Sequence, residues 1–144
     1  MRCVLDTNIV LSGFLWNGSP HQLWTAAQQG AIELFTSEEL IDELQDMLSR
    51  PKCAKRLREI GLSANGLLSL YSKVALLVDP VPLPRLAPDP DDDVVIGTAI
   101  AAKADFIVTG DKPLLSAEVF EGGRIVSVGE ALEAIAQSAS HNKP

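Results

Sequence analysis

The stretch Arg2-Cys3-Val4-Leu5-Asp6-Thr7-Asn8 sets a pattern that the chain uses more than once. Its short apolar run predicts a buried β-strand that ends at Asp6, and the two residues after it can cap a helix over residues 9–15. The stretch Ala104-Asp105-Phe106-Ile107-Val108-Thr109-Gly110-Asp111 has the same design: a buried strand, a polar turn and an aspartate. Strands that alternate with helices are typical of an α/β domain with a mainly parallel sheet.

The rest of the chain fits this alternation. Three further strands are predicted at residues 32–35, 76–78 and 125–128. The capping-box spacing Thr36-Ser37-Glu38-Glu39 predicts a helix that ends near residue 50. Other helices are expected over these ranges: 19–29, 51–60, 63–74, 94–103 and 130–139. We therefore expect a single three-layer α/β/α domain over residues 1–139, with about five short strands, and a frayed tail over residues 140–144.

Composition limits the classes of function. The 144 residues are 47% hydrophobic and fit one domain with a sizeable core. The formal net charge of −7 argues globally against a nucleic-acid partner, although acids that hold a metal ion no longer repel phosphate. Two cysteines, no apolar run of membrane length and no basic leader predict a protein without a signal peptide in a reducing cytoplasm.

The acidic run Asp89-Pro90-Asp91-Asp92-Asp93 is difficult to explain as a simple turn, because its carboxylates repel one another. Two unit charges about 4 Å apart repel by about 1 kcal/mol in water, and by more where water is excluded. One interpretation is a helix cap followed by acids that favour the positive end of a helix. The other is a site for a hard divalent cation, which prefers oxygen ligands.

Two other acids follow predicted strands. Asp6 ends the first strand, and Asp111 follows the strand over residues 104–108. The carboxyl ends of parallel strands meet at one edge of a sheet, where ligands of such folds bind. Each aspartate alone could also serve as an Asx-turn or a helix cap.

Helical geometry selects two more acids. At about 100° per residue, Glu43 lies at the margin of the apolar face of its helix, whereas Asp42 and Asp46 point to solvent. Asp92 precedes the apolar positions of its own helix by three and four residues and lies on that stripe, whereas Asp93 is rotated away. Several buried carboxylates without partners would be prohibitive, so a Mg²⁺ or Mn²⁺ site is expected. The chain shows no zinc spacing, Walker loop, GxGxxG or GxSxG motif.

Taken together, four motifs resemble the PIN-domain nucleases across essentially the whole chain, in their order. These are Val4-Leu5-Asp6-Thr7-Asn8, Glu43, the run over residues 89–93, and Val108-Thr109-Gly110-Asp111. The resemblance is closest to the branch that supplies toxins of toxin–antitoxin pairs. It implies metal-dependent endonucleolytic cleavage of RNA, with Asp6, Glu43, Asp92 and Asp111 as catalytic and metal-binding residues.

The resemblance also assigns supporting roles. Asn8 and Thr109 would be supporting polar groups, and Asp89 and Asp93 would lie beside the metal-binding residues and support them. It implies Mg²⁺ or Mn²⁺ as cofactor, an RNA substrate, products with a 5′-phosphate and a 3′-hydroxyl, and a small antitoxin as a partner. We also expect a homodimer or higher oligomer and, since no apolar run has membrane length, no membrane.

A basic segment lies outside these motifs. Five of the twelve basic residues fall within nine positions: Arg50, Lys52, Lys55, Arg56 and Arg58. They predict a patch that contacts RNA phosphates, or otherwise a solvated helix face. Trp16 and Trp24 can stack on bases, but their apolar helical spacing favours a core or interface role.

Other functions are compatible with parts of the pattern. The same domain could act in RNA processing or decay outside any toxin system, or as an inactive protein-binding module, although four intact acids argue against the latter. An aspartyl-nucleophile phosphohydrolase would place a second aspartate two residues after Asp6, where this chain has Asn8.

Overall fold

The computed structural model describes residues 1–83 and 90–141. Within them a six-stranded sheet has the order β3-β2-β1-β4-β6-β5. The strands are β1 (Arg2–Leu5), β2 (Glu33–Thr36), β3 (Leu76–Leu77), β4 (Phe106–Val108), β5 (Val119–Phe120) and β6 (Gly123–Val126). The pairs among the first four strands and β6 are all parallel, and β5 is antiparallel to β6. The predicted α/β class and mainly parallel sheet are confirmed.

Eight helices connect and cover these strands within the described ranges. They are α1 (Thr7–Leu15), α2 (Ser19–Gln28), α3 (Glu38–Leu48), α4 (Pro51–Ile60), α5 (Ala64–Val74), α6 (Pro90–Ala102), α7 (Lys112–Leu115) and α8 (Val128–His141). Because α8 extends to His141, residues 140 and 141 of the expected frayed tail are helical. The chain has no helix-breaking residue there before Pro144.

The alternation of side chains along the strands divides the core into two layers. Cys3 and Leu5 of β1 pack into the larger apolar cluster, with α1, α2, α3, α4, α5 and α8. Val4, between them, points to the other face and packs with α6 and Leu114 of α7. Successive side chains of a strand point to opposite faces, so a sheet covered on both faces needs a continuous apolar run. This explains why the apolar residues Cys3, Val4 and Leu5 of β1 follow one another without a polar residue between them.

Some boundaries differ from those predicted. α6 begins at Pro90 rather than near residue 94, which places the acids over residues 91–93 in its first turn. Proline is favoured at the start of a helix, and carboxylates there interact well with the helix dipole. The predicted capping box at Thr36 is wrong, since Thr36 ends β2 and Ser37 is the N-cap of α3 without a side-chain cap bond.

The end of the sheet also differs from prediction. β6 ends at Val126 instead of residue 128, because Ser127 and Glu130 form a reciprocal capping box at the start of α8. β5 was not predicted. It is held close to β6 by Gly123, where an added Cβ would lie 2.5 Å from the Phe120 ring and 2.7 Å from the Ala104 carbonyl oxygen. Only glycine fits this approach without a shift in the neighbouring atoms.

Candidate active site

Asp6 is buried at the carboxyl end of the central strand β1, with 9% of its surface exposed. Its backbone carbonyl accepts hydrogen bonds from Ile9 and Val10 as α1 begins, but its carboxylate makes no cap bond to that helix. Instead, Asp6 Oδ2 accepts a hydrogen bond of 2.8 Å from Thr109 Oγ1. The cap interpretation of this side chain therefore fails, and the carboxylate is oriented across the sheet.

Thr109 joins Asp6 to Asp111. β1 and β4 pair in parallel with Leu5 opposite Val108, so Asp6 and Thr109 emerge side by side at one edge of the sheet. The Thr109 hydroxyl is fully buried, and besides donating to Asp6 it accepts a bond of 3.0 Å from the Asp111 backbone N–H. The geometry is compatible with the predicted supporting role of Thr109. Its hydroxyl orients the Asp6 carboxylate and also fixes the turn that carries Asp111.

Asp111 has a structural role as well as a place at this edge. Its Oδ2 accepts a hydrogen bond of 3.0 Å from the Leu114 backbone N–H and caps α7. The cap interpretation is correct for this residue. A carboxylate has two oxygens and about four lone-pair directions, so capping does not exhaust its capacity to bind other groups.

Glu43 is partly buried on α3, whereas Asp42 and Asp46 are exposed. This agrees with the helical-wheel assignment made from the sequence. α3 packs against α1, the helix that starts directly after Asp6, and against α6. The helix that carries Glu43 therefore packs against the helix that follows Asp6 and against the helix that carries Asp92.

Asp92 and Asp93 are both partly buried in the first turn of α6, but they line different cavities. Asp92 borders a cavity of about 380 Å³ together with Leu114, the residue whose N–H is bound by Asp111. Asp93 borders a second cavity of about 260 Å³ with Glu39. The rotation of about 100° per residue separates the two carboxylates, as predicted.

α6 is fixed in place by two polar features that the sequence did not single out. Thr98 Oγ1 donates to Ser37 Oγ at 3.0 Å, a fully buried contact between α6 and the N-terminus of α3. Val81 N–H donates to the Gly97 carbonyl at 3.0 Å, and an added Cβ on Gly97 would lie 2.5 Å from the Val81 oxygen. A threonine and a glycine on the apolar side of a predicted helix were the available signals for both contacts.

Two other residues are expected to support the site. Asn8 is exposed in the first turn of α1. The prediction for Asp89 lies outside the described residues.

The donor set suits a hard divalent cation, because carboxylate oxygens are the ligands that Mg²⁺ and Mn²⁺ prefer. The buried, oriented Asp6 carboxylate fits that chemistry. Among the described residues, however, no group of three or more His, Cys, Asp or Glu side chains is arranged to hold an ion. The structure thus links Asp6 and Asp111 through Thr109 and places Asp92 and Leu114 in the wall of one cavity, and the described residues alone form no full ligand set.

The basic segment lies on and before α4, and its five members differ in their surroundings. Arg56 is half-buried, and its Nε donates to the Leu15 carbonyl oxygen at 2.6 Å. Arg50 lies 3.7 Å from the Asp46 carboxylate, and the Lys52 ammonium lies 5.8 Å from the centre of the Trp16 ring. Lys55 and Arg58 are exposed. As a set, these residues are partly structural, and Arg56 in particular binds α4 to the end of α1.

The two tryptophans also have different environments. Trp24 is buried and packs against Phe14, with ring centres 4.2 Å apart, as the core interpretation predicts. Trp16 has 38% of its surface exposed beside Lys52. Only Trp16 is accessible to a ligand.

Comparison with known proteins gives two findings. The family described as PIN domain matches residues 2–113 of this chain. The uncharacterized protein MJ1680 of Methanocaldococcus jannaschii is 29% identical over 117 residues, which cover 81% of this chain and 74% of that protein. The described helices are all too short or too polar to cross a membrane.

Proposed function

This chain belongs to the PIN-domain family, whose members are generally nucleases, and from that premise we propose that it is a Mg²⁺- or Mn²⁺-dependent endoribonuclease. The observation that carries the proposal is the buried Asp6 carboxylate, oriented by Thr109 at the carboxyl edge of the sheet. Its side chain makes no cap hydrogen bond to α1.

The residues of this site have distinct tasks in the proposed reaction. Asp6 and Asp92 would be the principal ligands of the ion, and Glu43 and Asp111 would complete the ligand set or orient the attacking water. When bound, a divalent ion polarises the phosphate and makes a bound water lose its proton more readily. Thr109 would fix the rotamer of Asp6 through its donated hydrogen bond, so that the carboxylate does not have to be ordered during the reaction.

A toxin role in a toxin–antitoxin pair is part of the proposal. It rests on the sequence motifs, as do a small antitoxin partner and assembly into a homodimer or higher oligomer. A cytoplasmic location, which we also propose, rests on the low cysteine content. A short reading frame for a partner protein directly beside this gene would support the toxin role, which is independent of the nuclease chemistry.

The test is a cleavage assay on mixed RNA with Mg²⁺ or Mn²⁺ and with a chelator. Asp6→Asn and Asp92→Asn should each reduce cleavage at least about a hundredfold, because a neutral amide oxygen holds a divalent ion far less well than a carboxylate. The matched control is Asp42→Asn, which removes the same charge from the exposed side of α3. It should leave the rate within about twofold of the parent.

Folding is checked for each variant by circular dichroism and thermal melting. Equal cleavage by Asp92→Asn and the parent would contradict the assignment of Asp92. Cleavage that survives chelation would contradict metal dependence.

A further inference from the structure

A cavity of about 380 Å³ adjoins the candidate active site and has no role in the chemistry proposed above. Its volume falls within the range of roughly 300–1,000 Å³ that is typical of small-ligand sites. Apolar side chains from α6, from α7 and from β5 form its walls: Ile96, Ile100, Pro113, Leu114, Val119 and Phe120. A cavity of this size and lining suits one planar, largely apolar group.

The cavity is connected to the site through two residues. Asp92, a proposed metal ligand, forms part of its wall. Leu114, also in the wall, donates its backbone N–H to the Asp111 carboxylate. A nucleotide whose phosphate lies at these acids would therefore have the cavity within reach of its base.

The polar side chains that the structure describes in the lining are both acceptors. Asp92 and Glu121 are the ionisable residues among those that line the cavity, and an ionised carboxylate accepts hydrogen bonds but donates none. Within residues 1–83 and 90–141, no lysine, arginine or histidine lines it. The complementary base is one with adjacent N–H donors on its edge, which is guanine, whose N1–H and N2–H₂ can bind one carboxylate through two parallel bonds. Adenine, cytosine and uracil each place an acceptor next to their donor on this edge.

We propose that this cavity is a base-binding subsite, in which Glu121 binds the Watson–Crick edge of a guanine next to the cleaved phosphodiester. The inference rests on the proposed ribonuclease activity and names its base preference. Single-stranded RNA is commonly recognised in this way, by an unstacked base that packs on apolar or aromatic side chains and is bound along its edge. Phe120, in the wall beside Glu121, provides the aromatic surface.

The first experiment measures binding without catalysis. The four nucleoside 5′-monophosphates are titrated into the isotopically labelled protein, and methyl and amide resonances are followed by NMR. Guanosine monophosphate should shift the resonances of Ile96, Ile100 and Leu114 and bind about tenfold more tightly than the other three. Equal binding of all four, shifts elsewhere in the protein, or no shift at millimolar concentration would overturn the proposal.

The second experiment changes the edge-reading residue. Glu121→Gln keeps the size of the side chain but replaces one acceptor oxygen by a donor, so the guanine-over-adenine preference should fall about tenfold in both binding and kcat/KM. Glu118→Gln is the matched control, since Glu118 is an exposed acid three residues away that borders a different cavity. It should leave the preference unchanged.

A third variant tests the cavity itself. Ala117→Trp would place a large ring at an exposed lining position, and should abolish the nucleotide shifts while leaving the acids of the site intact. If the cavity instead docks a protein segment, Ala117→Trp and Glu121→Gln will both leave base preference as it was, which overturns the proposal. Absence of any RNA cleavage by the parent protein would instead contradict the proposed function, and the nucleotide titration would still decide the subsite.

Discussion

At the residue scale, a threonine hydroxyl is the group that organises the candidate site. Thr109 donates to the Asp6 carboxylate and accepts from the Asp111 backbone, so both strand-end aspartates depend on one buried side chain. The two carboxylates are then used differently, since that of Asp111 caps α7 and that of Asp6 makes no cap hydrogen bond to α1. Residue type and position alone do not distinguish these roles.

Tyr71 and Cys3 are buried ionisable groups outside the site. Burial raises the pKa of Tyr71 from 10.0 to about 12, partly offset by its hydrogen bond with Thr36. Burial likewise raises the pKa of Cys3 from 9.0 to about 12. Both groups are therefore neutral in the folded protein at pH values where the unfolded chain ionises them.

We expect the free energy of unfolding to fall as the pH rises from about 9 to about 12. A group whose pKa is raised by folding gives its full stabilisation below the unfolded pKa and loses it as the pH approaches the folded pKa. Each group contributes about 1.4 kcal/mol per pH unit inside its window. Tyr71→Phe should flatten the decline above pH 10, measured by urea unfolding at several pH values. An unchanged slope above pH 10 would show that Tyr71 ionises as readily in the folded protein as in the unfolded chain.

At the element scale, α4 combines a buried anchor with an exposed basic face. Arg56 binds the carbonyl of Leu15 at the end of α1, where helix carbonyls lack partners and a cation is favourable. Lys55 and Arg58 are turned to solvent. The structure therefore divides the basic segment into a residue that joins two helices and residues that are available to phosphates.

Lys55→Gln combined with Arg58→Gln should weaken RNA binding and reduce its dependence on salt, because each lost phosphate contact removes counterion release. Arg56→Gln is the contrasting variant. It should lower the free energy of unfolding by about 1.5 kcal/mol through loss of a charged hydrogen bond. Anisotropy titrations of labelled RNA at several salt concentrations, with thermal melts of both proteins, separate the two effects. If RNA affinity is unaffected by the Lys55 and Arg58 changes, this face of α4 is only a solvated surface.

At the scale of the whole molecule, the acids of α3, α6 and the strand ends come from separate parts of a chain whose net charge is −7. α6 packs against β1, β2 and β4, so the approach of its first turn to the sheet edge belongs to the global fold. A cation held by these acids would bind the folded state and have no assembled site in the unfolded one.

Mg²⁺ or Mn²⁺ should consequently raise the melting temperature of this protein. Linkage gives about 2.7 kcal/mol of stabilisation at a metal concentration 100 times Kd. Asp6→Asn should remove most of this response, whereas Asp42→Asn should retain it, as measured by calorimetry across a metal titration. A melting temperature that does not respond to millimolar metal in the parent protein would contradict the metal site.

The sequence by itself determined the order of the helices and of the strands other than β5, because each depends on local apolar periodicity and on caps within a few residues. It also placed Asp6 and Asp111 at one sheet edge and assigned Glu43 to a half-buried helix face, since a parallel sheet and a regular helix impose those positions. α6 begins at Pro90, earlier than apolar periodicity predicts, because its first turn consists of a proline and acids that carry no apolar pattern.

Only the tertiary structure decided which groups each side chain contacts. The bond between Thr109 and Asp6 joins residues 103 positions apart, and that between Arg56 and Leu15 joins residues 41 positions apart. The antiparallel β5, the cavity beside Asp92 and the use of Asp111 as a cap likewise depend on how β6, α6 and α7 pack. Such contacts arise from packing between distant segments, and local periodicity carries no information about them.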